Sequence, residues 1–159
     1  MEAFMMANDP FDLNRFAVAQ DAPLAGSSGK SVYDTALAEL HAGDKQEHWM
    51  WFVLPQLRSL GQSPTAKKYG ISGLDEARAY WDHPILGPRL RECVEATMTS
   101  GKTDPVLILG DIDAKKYRSC LTLFLQVAPG DPALTRALAW FYRGKPCGKT
   151  LAHIGLPEE

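Results

Sequence analysis

The sequence predicts an all-α fold, a compact orthogonal bundle of several helices in a single domain. Three observations lead there. Asp9-Pro10, Ser63-Pro64, Asp104-Pro105 and Asp131-Pro132 each set an N-cap acceptor before a proline whose fixed φ suits the first helical position. Apolar residues then recur at helical spacing until Gly or Pro interrupts them. No two segments read convincingly as paired strands.

The first helix is expected from Pro10 to about Asp21, with Phe11, Leu13, Phe16 and Val18 apolar and Gln20 on the face of Phe16. Pro23 to Gly29 reads as a small-residue loop. Tyr33, Ala36, Leu37 and Leu40 mark a second helix that Gly43 stops. Asp75 to Asp82 carries Ala77, Ala79, Tyr80 and Trp81, and His83-Pro84 separates it from a longer helix with Leu86, Leu90, Cys93, Val94 and Met98, ended by Gly101. Val106 to Leu109 could be a buried strand, but a lone strand leaves its backbone unsatisfied, so a short helix opened by Asp104-Pro105 is preferred. Ala114 to Val127 presents Tyr117, Cys120, Leu121, Phe124 and Leu125 on one stripe, closed by Pro129-Gly130. Leu134, Leu138, Phe141 and Tyr142 mark one further helix. The domain is expected over residues 9–155, with tails at 1–8 and 156–159.

Composition narrows the function classes. The chain has 159 residues, a formal net charge of -2, and acids and bases mixed along its length. It therefore lacks the basic stripe that duplex nucleic acid requires. No apolar run approaches the roughly 20 residues that cross a bilayer, and the first residues lack the basic start and apolar core of a signal peptide. A cytoplasmic location, without membrane contact, is the expectation. Three cysteines, Cys93, Cys120 and Cys147, fit a reduced compartment. His41, His48, His83 and His153 are scattered without metal-ligand spacing, so neither a metal nor a cofactor is expected.

The run from Glu47 to Leu57 (EHWMWFVLPQL) mixes two tryptophans and a phenylalanine with a histidine and an amide. As one helix it would set His48, Phe52 and Gln56 on one face. Pro55 cannot donate to the carbonyl of Trp51, so the helix must kink or restart there. A kink frees a carbonyl near His48, where a ligand or water could be held. The competing reading makes the aromatics core anchors and has His48 cap a carbonyl.

These residues carry a resemblance. Gly43, Lys45, His48-Trp49-Met50-Trp51-Phe52, Pro55-Gln56-Leu57, Gly61-x-Ser63, Tyr69-x-Ile71, Glu76-Ala77-x-x-Tyr80, His83-Pro84-x-Leu86-Gly87-x-Arg89-Leu90 and the run from Lys116 to Phe124 (KYRSCLTLF) resemble the bacterial family called domain of unknown function 1810. The resemblance spans about Asp9 to Tyr142. It implies an all-helical fold and assigns no activity. The chain departs from the family at Ser119-Cys120, where two serines are usual, and at Cys147-Gly148-Lys149, where an acidic residue usually precedes the Thr-Leu pair.

Lys45, His48, Trp49, Trp51, Gln56, Tyr69, Lys116, Ser119 and Thr122 are the candidate ligand-binding residues. Converging in one cleft, they would supply two cations, an imidazole, several neutral donors and aromatic faces. That inventory suits a small anionic metabolite or a peptide. Each has a competing reading: solvated helix ends for the lysines, packing for Tyr69, and backbonding to the preceding turn for Ser119 and Thr122. The alternative function is an enzyme using His48 as acid or base, with Glu39 or Glu47 as partner, on an N-glycosidic, nucleotide or ADP-ribose-type substrate.

Overall fold

The computed structural model describes residues 8–24 and 29–155. All but the last residue of the tail expected at 1–8, the tail expected at 156–159, and the middle of the Pro23–Gly29 loop lie outside the described residues. Pro23 and Ser31, which flank that loop, pair in an isolated antiparallel bridge.

The helices are α1 Asn14–Asp21, α2 Val32–Ala42, α3 Met50–Val53, α4 Pro64–Tyr69, α5 Leu74–Asp82, α6 Leu86–Thr97, α7 Pro105–Leu109, α8 Asp111–Val127, α9 Pro132–Tyr142 and α10 Gly148–His153. A 3-10 turn at Arg58–Leu60 joins α3 to α4. The all-α expectation holds, since the described residues form no strand beyond isolated bridges.

Three of the four acceptor-proline signals act as expected. Ser63 accepts from the Ala66 amide, Asp104 from Val106 and Asp131 from Leu134, each with proline in the first turn. Asp9 behaves differently. Its carboxylate accepts from the amides of Leu13 and Asn14 at 2.7 and 2.8 Å, across a turn in which Asp12 has φ 52°. The first helix therefore begins at Asn14 rather than Pro10. On it Phe16 and Gln20 are buried, but Val18 is 60% exposed and lies outside the core.

Gln20 is buried because its amide is fully used. It donates to the Phe52 carbonyl and the Tyr80 hydroxyl and accepts from Arg89, which avoids the cost of about 1–3 kcal/mol for an unsatisfied buried group. Gly43 ends α2 at φ 70°, where its amide meets the carbonyls of Glu39 and Leu40. A side chain at Gly87 would place its Cβ 2.1 Å from the Trp81 carbonyl oxygen, so only glycine lets α6 leave α5 so tightly. His83 sets that corner by accepting from the amides of Ile85 and Leu86 through Nδ1.

α8 is the central helix, packed by α5, α7, α9 and α10, while α6 joins it to α2 through contacts with both α5 and α9. Its Tyr117, Cys120, Leu121 and Phe124 are buried, as the stripe in the sequence predicts. α10 was not anticipated from the sequence.

The aromatic run takes neither expected geometry. Only Met50–Val53 is helical, and Leu54 to Leu57 leaves it as a non-helical segment. Leu57 bridges Ile71 in parallel, with the Ile71 amide on the Gln56 carbonyl at 2.9 Å and the Arg58 amide on the Ile71 carbonyl at 2.8 Å. Pro55 lies in that non-helical segment, where its missing N–H breaks no helix. His48 precedes the helix altogether, so His48, Phe52 and Gln56 do not share a helical face.

Candidate functional site

Glu39, in the last turns of α2, organises the loop ahead of α3. Its Oε1 accepts from the amides of Gln46 and Glu47 at 2.8 and 3.1 Å and from Trp49 Nε1 at 2.9 Å. The loop is also held by the Lys45 amide, which donates to the Ile108 carbonyl at 2.8 Å. With its backbone fixed at both points, Lys45 extends toward the start of α8.

There Asp113 receives both candidate lysines. Lys45 Nζ lies 2.8 Å from its Oδ2, and Lys116 Nζ, one turn along the helix, lies 3.4 Å from Oδ1. The aromatic run supplies a face for each cation: Lys45 Nζ sits 5.1 Å from the Trp49 ring centre and Lys116 Nζ 5.6 Å from that of Trp51. The side chains of Lys45 and Asp113 are only 8% and 17% exposed, against 28% for Lys116. Lys45 is thus no solvated helix end.

Lys45, Trp51, Asp113 and Lys116 line a cleft of about 270 Å³ together with His48, Met50, Phe52, Ser63 and Thr65. His48 is exposed at it and, among the described residues, forms no hydrogen bond to a carbonyl, so the competing reading of it as a carbonyl cap finds no partner there. The cleft brings together four of the nine predicted residues: Lys45, His48, Trp51 and Lys116. Trp49 stands behind them, fully buried.

The other four lie elsewhere. Gln56 is buried at the Leu57–Ile71 bridge. Tyr69 packs edge-on against Phe52 at 4.7 Å and lies 5.9 Å from Phe16. Ser119 Oγ lies 3.3 Å from both the Lys115 carbonyl oxygen and the Cys147 sulfur, which share its single hydroxyl proton. Thr122 donates to the Arg118 carbonyl at 2.8 Å and accepts the Cys147 amide at 2.8 Å. The backbonding reading describes both hydroxyls, which also fasten the chain entering α10.

Asp113 is the residue the sequence reading missed. Its signal was legible, since an acid three residues before Lys116 pairs with it on any helix. The expected start of that helix at Ala114 leaves Asp113 just outside it, whereas the helix begins at Asp111.

A larger hollow of about 420 Å³ opens on the surface between the 3-10 turn, α5 and α10. Ser59 Oγ and His153 Nδ1 meet there at 2.7 Å, although 94 residues separate them in the chain. Glu76 in its wall is committed to Arg15 at 2.7 Å and to the Ser72 amide at 2.9 Å. None of the nine predicted residues lines this hollow. Among the described residues, no three His, Cys, Asp or Glu side chains gather as a metal site, and no helix is long and apolar enough to cross a membrane.

The chain is similar to the crystal structure of a conserved hypothetical protein from Mycobacterium tuberculosis, at 42% identity and a TM-score of 0.83, over 93% of this chain and 99% of that one. No curated protein matches it. Residues 10–154 match the family described as "Protein of unknown function (DUF1810)". The resemblance carried by the aromatic run and the helix of Lys116 to Phe124 is thereby extended over nearly the whole chain, and the protein belongs to the DUF1810 family.

Proposed function

We propose that the cleft between the aromatic run and the start of α8 binds a small anionic metabolite. The observation that carries this reading is one carboxylate shared by two ammonium groups. Asp113 neutralises one charge, so Lys45 and Lys116 together leave a net positive charge facing the cleft. A phosphate or carboxylate entering there gains charge-assisted hydrogen bonds, and Trp51 offers an apolar wall for the remainder of the ligand.

Size narrows the ligand. Drug-sized molecules occupy pockets of roughly 300–1,000 Å³, and a cleft of about 270 Å³ falls just below that range. A monophosphate or a short dicarboxylate suits it better than an ADP-ribose conjugate or an extended peptide.

The enzyme reading draws less support. His48 is at the cleft, but Glu39, one of its two candidate partners, already accepts three N–H groups that shape the loop. Glu47 is exposed and is not among the cleft's lining residues.

The test is calorimetric titration with inorganic phosphate at low ionic strength. Lys116→Ala is expected to weaken binding about tenfold, equivalent to about 1.4 kcal/mol, while the melting temperature stays near that of the parent. Equal affinity in the two proteins would remove Lys116 from any anion site.

A further inference from the structure

The larger hollow beside α5 joins a hydroxyl to an imidazole. Ser59 lies in the 3-10 turn and His153 in the last turn of α10, and Ser59 Oγ meets His153 Nδ1 at 2.7 Å. Both residues are exposed and line the hollow, and among the described residues neither side chain has a second hydrogen bond. Ser59 thus differs from Ser119 and Thr122, whose hydroxyls bond back to carbonyls of the preceding turn. A hydroxyl held on an imidazole nitrogen is the arrangement that activates a serine, because the nitrogen takes the proton as the oxygen attacks.

The same hollow holds donors for an oxyanion. α5, nine residues long, starts in its wall at Leu74, and Gly73 before it has no side chain to cap the helix. The first-turn amides of Leu74, Asp75 and Glu76 have no carbonyl within the helix, and the Glu76 carboxylate accepts from the Ser72 amide rather than from them. Such amides stabilise negative charge that develops on a carbonyl oxygen, and the helix dipole adds to the effect. Leu57 is buried in the wall and Leu74 and Ile154 are half-buried, which seats a small apolar group. Glu76 is neutralised by Arg15, but Asp75 is exposed and has no ion pair among the described residues, so an anionic substrate is disfavoured. A volume of about 420 Å³ falls within the roughly 300–1,000 Å³ of small-molecule sites.

We propose that Ser59 and His153 form a nucleophile–base dyad that hydrolyses a small uncharged carboxylic ester. Ser59 Oγ attacks the carbonyl carbon, and its proton passes to His153 Nδ1 as the new C–O bond forms. The carbonyl electron pair moves onto the oxygen, which the first-turn amides of α5 stabilise. Collapse of the tetrahedral intermediate breaks the ester C–O bond, and the leaving oxygen takes the proton from His153 and departs as the alcohol. Water, deprotonated by the same nitrogen, then attacks the acyl-serine; the carboxylic acid leaves and His153 returns the proton to Ser59. No carboxylate bonds to His153 among the described residues, so turnover is slow beside that of a full triad.

The full chain is tested with an uncharged alkyl fluorophosphonate, read by intact mass and peptide mapping, and with p-nitrophenyl acetate as substrate. One adduct per chain is expected, on Ser59, and ester hydrolysis should be lost with it and in Ser59→Ala. His153→Gln keeps a polar group against Ser59 but removes the base, and should slow labelling about a hundredfold while the melting temperature stays near that of the parent. A parent protein that takes no adduct on Ser59 overturns the proposal, a result that needs no variant. It is equally overturned by adducts spread over several serines, by ester hydrolysis that survives in Ser59→Ala, or by labelling of His153→Gln at the parent rate.

Discussion

Two stretches of α8 lie within ten residues of each other and use their polar groups in opposite ways. At the first turn, Asp113 and Lys116 meet Lys45 at a cleft, with two cations for one carboxylate. One turn further on, Ser119 and Thr122 turn inward, bonding to the carbonyls of the preceding turn and to Cys147. The first arrangement leaves two cations to one carboxylate at a cleft; the second uses its hydroxyls to fasten α10. Polar residues in one continuous motif thus need not share a site, because a helix turns successive residues toward different neighbours.

The difference can be broken most severely from behind the cleft. Trp49 is fully buried and tied to Glu39, so Trp49→Ala should cost about 3–5 kcal/mol of stability and lower the denaturant midpoint accordingly. Loss of anion binding in that variant would follow from unfolding of the wall rather than from loss of a ligand contact.

Alkaline pH should have the next largest effect. Burial raises Cys93 to about 12, and raises Cys120, Tyr33, Tyr80, Tyr117 and Tyr142 further still. These groups keep protons that the unfolded chain releases, so the stability they contribute is complete below their ordinary values. It is lost as pH rises from about 9 through the folded values. Cys147 runs the other way: its lowered pKa contributes stability above the ordinary thiol value that fades as pH falls through the folded one. Urea midpoints between pH 8 and 11 should therefore fall steeply, governed by the core groups; a flat profile would contradict their burial.

Thr122→Val sharpens the comparison at the second stretch. It strands the Cys147 amide, and a cost of about 1–3 kcal/mol is expected, with faster hydrogen exchange in α10. Phosphate affinity should be unchanged. A change in affinity would show that the two stretches act together after all.

Much of the fold was legible because its signals are local. Ser63, Asp104 and Asp131 cap the helices that their prolines open, and the α8 stripe is buried as its spacing requires. The failures come from tertiary contacts. Asp9 caps across an irregular turn, Leu54 to Leu57 is drawn out of the helix by pairing with Ile71, and the six-residue α10 is held by Thr122 and Ser59 from distant parts of the chain. The site divides in the same way. Lys45, His48, Trp51 and Lys116 come from two segments far apart in the chain that meet through Asp113, a tertiary contact no local pattern shows, whereas the backbonding of Ser119 and Thr122 is local and only their contacts with Cys147 are not.

The proposed anion site is tested most directly at Asp113, the carboxylate that pairs with both lysines. Phosphate titrations of the parent and Asp113→Asn proteins, by calorimetry at low ionic strength, should show roughly fivefold tighter binding in the variant once the competing charge is gone. Weaker or unchanged binding in Asp113→Asn would mean that the lysines serve the carboxylate and not a ligand, and would contradict the account.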